Sequence, residues 1–389
     1  MKMIPYGKQN IDETDIQAVI DVLRSDFLTQ GPSVPLFENL IADYCHAKHS
    51  VAVNSATSAL HIACLALDIG PGDWVWTSPI TFVASANCAI YCGAKVDFVD
   101  IDPLTYNMST ESLAEKLQQA EKLGRLHKLV ITVHFSGQAC DMAAIYQLSL
   151  RYGFRIIEDA SHAIGGKYMH EPIGNSRYSD ITVFSFHPVK IITTGEGGMA
   201  LTNDKKLAQR MRLLRSHGIT RDHEEMMSIP DGDWYYEQIM LGYNYRMTDL
   251  QAALGISQIK RLDAFIEKRH QIAARYNELL NELPITIPYQ KQETHSALHL
   301  YVIRLHLDKI NRSHRQVFDS LRTHSIGVNL HYIPVYHQPY YERLGFKAGY
   351  CFQAECYYAE AISLPIYPSM NDCQQEFVAT ALKSAIFCA

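Results

Sequence analysis

The sequence predicts an α/β fold, in which a mainly parallel sheet is covered by helices on both faces and is followed by a smaller α+β domain. Short apolar runs rich in β-branched residues recur between residues 50 and 204, and helix-length segments separate most of them. A composition of 47% hydrophobic and 20% charged residues over 389 positions is typical of a globular chain with a sizeable core. This length suggests about two domains, which we place at 1–250 and 251–389.

The strands of the first domain are predicted from seven runs in chain order: SVAVN, DWVWTS, KVDFVDID, KLVITVHF, FRIIEDA, DITVFSF and GGMALTND. Helices are predicted between them, for example over Thr57 to Leu67 and Ser109 to Leu123. Strands that alternate with helices pair in parallel. Ligands of such folds bind beyond the carboxyl ends of the strands, so the residues that follow these runs are the candidates for a site.

Further elements flank this sheet. An amphipathic helix is predicted over Asp12 to Ser25 and leads into the turn-rich loop DFLTQGP; its apolar positions are Ile16, Val19, Ile20 and Leu23. Thr248 and Gln251 form a predicted capping box that opens a helical segment to about Leu280, bridging the two domains. The smaller domain contains the strand LHLYVIRLHL, a helix opened by Ser313 and Gln316, the segment VNLHYIPVY and a closing helix from about Asn371.

Charge and terminal sequence argue against several classes of protein. The formal net charge of -6 comes without any block of lysines and arginines, which argues against nucleic acid as a partner. The N-terminus lacks the apolar core of a signal peptide, and no run approaches the ~20 apolar residues of a membrane span, so we expect a cytoplasmic protein without membrane contact. The nine cysteines, among them Cys388, show no CxxC pair, which favours buried reduced thiols over a metal site.

Two polar positions follow the predicted strands. Asp159 ends the run FRIIED, where a carboxylate points into the crevice and requires a cationic partner. Taken alone, an aspartate here is structural about as often as functional, and His162 is more often a hydrogen-bonded core residue than a catalyst. The backbone N–H groups of Ala56, Thr57 and Ser58 lie at a helix start, where they either bind an anion or form an ordinary N-cap.

Lys190 lies in the glycine-rich loop that follows the strand ITVFSF. An arbitrary loop lysine is most often solvated, but burial lowers the pKa of the amine toward the range in which it is a nucleophile. Phe82 follows another strand end and is either a core residue or a stacking surface for a planar ring. Pyridoxal 5'-phosphate would use all four of these groups. Its aldehyde matches the lysine, its phosphate the anion-binding helix start, its ring the aromatic side chain and its ring nitrogen the carboxylate.

Five blocks, NSATSALHIA, SPITFVASAN, EDASHAIG, FSFHPVKIITTGEGG and LGYNYRMTDLQAALG, resemble in order the signature blocks of the DegT/DnrJ/EryC1/StrS family of sugar aminotransferases. The resemblance covers nearly the whole chain. It implies the fold of type I pyridoxal phosphate enzymes, which is that of aspartate aminotransferase, and an aminotransferase activity.

Roles for individual residues follow from the resemblance. It implies that Lys190 binds the cofactor covalently and shuttles protons, that Asp159 pairs with the pyridine nitrogen, and that Phe82 and His162 lie against the ring. It also implies that Ala56, Thr57 and Ser185 hold the phosphate. Asn244 would reach the phosphate of the neighbouring subunit, which implies a homodimer with shared active sites. Many relatives carry Gln at the position of His162, so the polarity of that contact differs among them.

The blocks PYGKQ, SDFLTQGP and VNLHYIPVYHQPYY look most like the branch that works in pseudaminic acid biosynthesis. That resemblance implies amino transfer from L-glutamate to C4 of a UDP-linked 4-keto-6-deoxy-N-acetylhexosamine. The implied sugar-nucleotide contacts are Tyr6, Phe27, Leu28, Thr29, His331 and Tyr332.

Alternative functions remain open. Another nucleotide-linked keto sugar, of the bacillosamine, perosamine or viosamine type, would require the same chemistry. Related dehydratases replace the lysine with His, and a non-catalytic regulator would have lost Lys190 or Asp159, so the presence of both residues argues for catalysis.

Overall fold

The computed structural model describes residues 3–124 and 127–387 of the chain. The strands in this part are β1 (Ile4–Pro5), β2 (His49–Val53), β3 (Trp74–Thr77), β4 (Lys95–Phe98), β5 (Leu129–Val133), β6 (Arg155–Asp159), β7 (Lys167–Tyr168), β8 (Glu171–Pro172), β9 (Ile181–Ser185), β10 (Gly198–Thr202), β11 (Ile219–Thr220), β12 (Glu237–Gln238), β13 (Ile285–Thr286), β14 (Thr294–His295), β15 (Tyr301–Leu305), β16 (Ile326–Gly327) and β17 (Ala361–Leu364). The α-helices are α1 (Glu13–Leu23), α2 (Ser33–Cys45), α3 (Ala56–Ala66), α4 (Ala84–Tyr91), α5 (Thr110–Lys122), α6 (Met142–Tyr152), α7 (Lys205–Arg215), α8 (Asp249–Ile259), α9 (Leu262–Leu280), α10 (His314–Thr323), α11 (Pro339–Glu342), α12 (Phe352–Glu360) and α13 (Asp372–Phe387).

A seven-stranded sheet organises the first part of the chain, with the strand order β2-β10-β9-β6-β5-β3-β4. The strands β4, β3, β5, β6 and β9 run parallel, whereas β10 is antiparallel to both of its neighbours. All seven predicted runs contribute a strand to it, which confirms the predicted α/β class and the mainly parallel pairing.

Both faces of this sheet are covered because successive side chains of a strand point to opposite faces. On β5, Ile131 packs into the cluster that contains Ile62 of α3 and Met211 of α7. Its neighbour Val130 packs into the other cluster, with Phe37 of α2 and residues of α5, α6 and α8. Strands buried on both faces explain the continuous apolar runs in the sequence.

The C-terminal part has its own sheet and core. β15 pairs in antiparallel fashion with β13 and β17, and α9, α10 and α13 pack against this sheet around residues such as Tyr276, Ile303 and Leu382. Ile4 joins the same core because β1 pairs with β16. The division into domains at residue 250 stays a prediction.

The predicted capping boxes are present at Thr248 and Ser313. The helical segment after Thr248 is not continuous, however, but consists of α8 and α9 with a break at Lys260 and Arg261. The Arg261 guanidinium pairs with the carboxylates of Asp12 and Asp15, so the break fastens α1 to the body of the protein.

The predicted amphipathic helix α1 is present, but its apolar stripe is only partly covered. Asp15 is its buried residue and Val19 and Ile20 are half-buried, whereas Ile16 and Leu23 are 44% and 57% exposed.

No helix in the described ranges is both long and apolar enough to cross a membrane. The cysteines in these ranges are all unpaired, which agrees with the expected reduced thiols. Cys373 is exposed, contrary to the expectation of burial, because it lies in the first turn of α13 at the surface. Cys388 lies outside the described residues.

Candidate active site

A cavity of about 950 Å³ opens beyond the carboxyl ends of three neighbouring parallel strands. Val133, Asp159 and Ser185, which end β5, β6 and β9, all line it. This is where ligands bind in open α/β sheets, and the volume falls at the upper end of the range of ligand pockets.

Lys190 lies in the loop between β9 and β10, half-buried against the cavity. The loop is closed at its base because the Phe186 N–H donates to the Gly197 carbonyl at 2.9 Å, and the Thr194 N–H donates to the Phe186 carbonyl at 3.0 Å. Burial lowers the pKa of the Lys190 amine to about 8, and the nearby charge of Asp159 opposes that shift. A lysine with such a pKa supplies neutral amine near physiological pH.

Gly197 and Gly198 of this loop allow close contact with the rest of the protein, whereas a Cβ on Gly195 would meet no atom within 4 Å. A Cβ on Gly198 would lie 2.4 Å from the backbone nitrogen of Ala56. Across the β2–β10 ladder Gly198 is paired with Val53, so the lysine loop and the start of α3 are held side by side.

The start of α3 leaves backbone N–H groups that are suited to bind an anion. The Ser55 hydroxyl caps the helix by accepting from the Ser58 N–H at 3.1 Å. The N–H groups of Ala56 and Thr57, in the first turn, have no acceptor within the helix, and both residues line the cavity near Ser185.

Asp159 is 6% exposed, and its carboxylate is fixed by two serines. One oxygen accepts from the Ser85 hydroxyl of α4 at 2.6 Å. The other accepts from the N–H and the hydroxyl of Ser161 at 3.1 and 2.5 Å. A carboxylate oriented in this way is suited to bind a protonated ring nitrogen.

Phe82 and His162 border the same space. Phe82 is 59% exposed, and its ring lies 6.4 Å from the Tyr332 ring, so much of its aromatic surface is available for stacking. Burial, together with the charge of Lys190, lowers the pKa of His162 well below its usual value, and the ring is therefore neutral.

The neighbours of His162 define which of its nitrogens carries the proton. Nδ1 accepts from the Ser136 N–H at 3.3 Å, so Nε2 carries the proton and donates to the Tyr332 hydroxyl at 3.2 Å. The Tyr332 hydroxyl hydrogen is then left to donate to a ligand. Burial raises the pKa of Tyr332, so the phenol keeps that hydrogen.

Tyr6, His331 and Tyr332 line the cavity as well. The Tyr6 and His331 rings lie 5.1 Å apart, and the His331 Nδ1–H donates to the Ser363 hydroxyl at 2.8 Å. Burial, with the charge of Lys190, lowers the pKa of His331 to about 3. Neutral aromatic and imidazole groups of this kind suit a polar, uncharged ring such as a sugar.

Four predicted site residues do not line the cavity: Phe27, Leu28, Thr29 and Asn244. All four are exposed on the surface of the chain. Several residues that do line it were missed by the sequence analysis: Asn54, Ser55, Leu60, Thr81, Ala84, Val133, Ser161, His187, Val189, Glu196, Gln251, Asn329 and Leu330. Most of them flank predicted residues within the same blocks, which is the signal that could have found them.

The residues present fit pyridoxal phosphate. The cavity joins a lysine of lowered pKa, an anion site at a helix start, an exposed aromatic face and a fixed buried carboxylate. No group of three or more His, Cys, Asp or Glu side chains in the described part of the chain is arranged to hold a metal ion.

The sequence profile of the DegT/DnrJ/EryC1/StrS aminotransferase family matches residues 9–383. The chain belongs to this family. Its members depend on pyridoxal phosphate, which is therefore the cofactor of this enzyme, a nucleotide-sugar aminotransferase with the fold predicted for it.

Two family members with curated sequences are similar over almost their whole length. The spore coat polysaccharide biosynthesis protein SpsC of Bacillus subtilis is 39% identical over 386 residues, which cover 98% of this chain and 97% of SpsC. The UDP-4-amino-4,6-dideoxy-N-acetyl-beta-L-altrosamine transaminase of Campylobacter jejuni is 37% identical over 386 residues, covering 99% of this chain and 98% of the relative.

Solved structures of the family agree. Helicobacter pylori PseC, an aminotransferase involved in the biosynthesis of pseudaminic acid, superposes with a TM-score of 0.90 at 30% identity, covering 99% of both chains. The pyridoxal phosphate form of the sugar aminotransferase Spr1654 of Streptococcus pneumoniae gives 0.87 at 27% identity, covering 98% of both chains.

Proposed function

We propose that this aminotransferase transfers the amino group of L-glutamate to C4 of UDP-2-acetamido-2,6-dideoxy-β-L-arabino-hexos-4-ulose, a step of pseudaminic acid biosynthesis. The observation that carries the proposal is the position of Lys190, next to the Asp159 carboxylate in a cavity that has room for a sugar beside the cofactor. The similarity to the Campylobacter jejuni and Helicobacter pylori relatives supports the choice of sugar.

At the cofactor end, Ala56, Thr57 and Ser185 would hold the phosphate with N–H and hydroxyl donors. Asp159 would keep a proton on the pyridine nitrogen, and Phe82 would cover one ring face. When bound, pyridoxal phosphate supplies an aldehyde that carries the amino group and a ring that withdraws electrons from the reacting carbon.

Lys190 would be both the attachment point and the proton carrier. With a pKa of about 8 its amine can hold and release a proton near neutral pH, which is the requirement for general acid–base work. The hydrogen bond from the Ser85 hydroxyl to the Asp159 carboxylate links α4 to β6 and would fix the carboxylate during this transfer.

At the sugar end, Tyr6 and His331 would contact the ring, and Tyr332 would donate its hydroxyl hydrogen to an oxygen of the substrate. The Ser136 N–H and His162 set the direction of this donation through their hydrogen bonds. A site built around a donor favours a carbonyl or hydroxyl oxygen and disfavours a cation.

The remaining predicted contacts would come from a second copy of the chain. The loop that carries Phe27, Leu28 and Thr29 is not loose, because the buried Asp249 carboxylate accepts from the N–H groups of Gly31 and Ser33 at 2.8 and 2.7 Å. This loop holds its residues outward, away from the cavity of its own chain. We therefore propose a homodimer with shared active sites.

Asn244 is held outward in the same way. Its segment bridges to Ser216, while the flanking Tyr245 carbonyl accepts from the N–H of Asn54 at 2.8 Å. Asn54 lines the cavity, so the segment runs beside the site while Asn244 itself faces out. We propose that Asn244 completes the phosphate site of the partner, and that the enzyme works in the cytoplasm.

The test is a substrate panel. The enzyme is incubated with L-glutamate and with UDP-, GDP- or dTDP-linked 4-keto-6-deoxy sugars, including epimers of the proposed substrate, and the products are identified by NMR. We expect amination of the named UDP sugar. Reaction only with GDP or dTDP sugars would overturn the assignment, and a 3-deoxy product would indicate a dehydratase.

A further inference from the structure

A buried histidine and a buried glutamate lie behind the active site, on the face of the sheet away from the Asp159 carboxylate. His134 directly follows β5 and is fully buried, and Glu158 precedes Asp159 on β6 and is 6% exposed. Successive side chains of a strand point to opposite faces, which places the Glu158 and Asp159 carboxylates on different sides of the sheet. Neither His134 nor Glu158 lines the cavity, and the proposed mechanism uses neither.

The two side chains form a hydrogen-bonded pair of defined direction. The His134 Nδ1 accepts from the backbone N–H of Cys140 at 3.2 Å, so the Nε2–H is the donor to the Glu158 carboxylate at 2.7 Å. The other carboxylate oxygen accepts from the hydroxyls of Ser179 and Thr182, the latter at 3.1 Å. Burial acts to raise the pKa of Glu158, but these hydrogen bonds lower it below its usual value, so the group is ionised.

The pair joins the three strands whose ends line the cavity. Glu158 belongs to β6, His134 follows β5, and Thr182 lies on β9. His134 also contacts Asp159 directly, because its backbone N–H donates to the Asp159 carbonyl at 3.1 Å. One histidine thus contacts Glu158 through its side chain and Asp159 through its backbone. A change in the pair would therefore move the backbone that carries the Asp159 carboxylate.

The same histidine shapes the loop that follows β5. Its Nδ1 closes this loop onto Cys140, and Ser136 lies within the loop. Ser136 has a φ of 61°, in the left-handed region that residues other than glycine seldom adopt. In that conformation its N–H donates to His162, which sets the direction of the hydrogen bond to Tyr332. The loop closed by His134 therefore also determines how Tyr332 can donate.

We propose that His134 and Glu158 are a positioning pair, which holds the Asp159 carboxylate at the angle that the pyridine nitrogen requires. Through the loop the pair also holds the Ser136 N–H, and with it the hydrogen bonds of His162. The inference rests on the role proposed above for Asp159. The pair lies outside the cavity, so it acts on the rate through Asp159 and not by contact with the substrates.

The first variant of the test is the double replacement His134→Leu/Glu158→Leu in the full-length protein. Replacing both members of a buried polar pair by apolar groups is often nearly neutral for stability. The hydroxyls of Ser179 and Thr182, which are 3.4 Å apart, can then bond to each other. This variant therefore removes the links between the strands without leaving an unpaired charge in the core.

Two further variants separate position from charge and from stability. In Glu158→Gln the amide oxygen can accept from His134 while the amide N–H groups donate to the two hydroxyls, so the strands stay joined and only the charge is lost. Asp180→Asn is the matched control. The Asp180 carboxylate joins β6 and β9 at the end away from the cavity, because it accepts from the Ile156 N–H at 2.8 Å.

Three properties are measured: thermal unfolding without cofactor, the pH at which the visible absorbance of the pyridoxal phosphate enzyme changes, and kcat and KM. We expect the double variant to unfold within about 5 °C of the wild type. Its kcat should be lower by about tenfold with each KM within about twofold, and its absorbance midpoint should shift by about half a pH unit. Glu158→Gln should keep about half of kcat or more, and Asp180→Asn should change thermal unfolding alone.

A double variant with normal kcat and a normal absorbance midpoint would overturn the proposal. So would Glu158→Gln as impaired as the double variant, because charge and not position would then matter. If the double variant does not fold, His134→Asn takes its place, since its amide keeps an acceptor near Nδ1 but is too short to reach Glu158. Its kcat should fall by about fivefold, and an unchanged kcat would overturn the proposal.

The absorbance and unfolding measurements need no sugar. A wild-type enzyme that aminates none of the proposed UDP sugars would refute the proposed substrate alone. The shift of the absorbance midpoint between the wild type and the double variant would still decide the role of the pair.

Discussion

The floor of the cavity and the outward surface of the chain are built in contrasting ways. On the floor, Lys190, Asp159 and Ala56 come from distant parts of the sequence and converge at the strand ends of one sheet. On the outward surface, Phe27 and Asn244 are exposed and lie outside the cavity lining, although Gly31 of the first loop bonds to Asp249 and Asn244 bridges to Ser216. One chain therefore supplies most of the cavity lining, and the proposal assigns Asn244 and the loop with Phe27 to a second chain.

The largest expected effect concerns the floor. Lys190→Ala should lower kcat by about 10³-fold or more, because we propose the amine as the proton carrier and the attachment point. Turnover with L-glutamate and the proposed UDP sugar measures this effect. Lys205→Ala, at an exposed lysine that begins α7, is the matched control and should keep full activity. A Lys190→Ala variant with near-normal turnover would remove the lysine from the mechanism.

Mixing two inactive variants tests whether Lys190 and Asn244 of one active site come from different chains. Lys190→Ala and Asn244→Ala subunits should each be nearly inactive as homodimers. Random exchange should restore about a quarter of the wild-type sites, because half of the dimers are mixed and each has one intact site. Steady-state turnover before and after subunit exchange measures the recovery. No recovery in dimers shown to be mixed would mean that Asn244 serves its own chain.

The lowered pKa of Lys190 predicts that the affinity for pyridoxal phosphate depends on pH. In the proposed role of Lys190 only its neutral amine captures the cofactor, and a pKa of about 8 leaves roughly a tenth of the amine neutral at pH 7. Apparent affinity for pyridoxal phosphate should therefore rise by several-fold between pH 7 and pH 8.5, then level off. An absorbance titration at several pH values follows this rise, and a flat profile would contradict a lysine of lowered pKa.

The smallest effect on activity is expected from Tyr332, a proposed contact of the sugar. Tyr332→Phe removes one donated hydrogen bond, which is worth about 1 kcal/mol, or roughly fivefold in kcat/KM for the sugar. Cofactor affinity should stay unchanged, since the proposed contact of Tyr332 is with the substrate. Tyr340→Phe, at a half-exposed tyrosine outside the cavity lining, is the control. Equal losses in both variants would indicate a general effect on stability.

The sequence was sufficient for the features that depend on local pattern. The seven apolar runs predicted the strands, and Thr248 and Ser313 predicted two helix starts, because period and capping chemistry are local. Lys190, Asp159, Ala56 and Phe82 were placed together through the rule that ligands bind at strand ends and through the family resemblance.

Other features depend on contacts between distant residues. The break between α8 and α9 arises where Arg261 reaches Asp12 and Asp15, which no helical pattern reveals. The direction of the hydrogen bond between His162 and Tyr332 depends on a backbone N–H at Ser136, and the partly covered stripe of α1 depends on what packs beside it.

The pairing of Gly198 with Val53 across β2 and β10 also concerns how the protein matures. These strands are far apart in the chain, and their ladder must form before Lys190 stands beside the start of α3. A newly made chain can therefore present this complete site only after the β2–β10 edge of the large sheet has formed. Pyridoxal phosphate then binds the native state alone, so its abundance in the cell would set the resistance of the folded protein to heat and proteolysis by mass action.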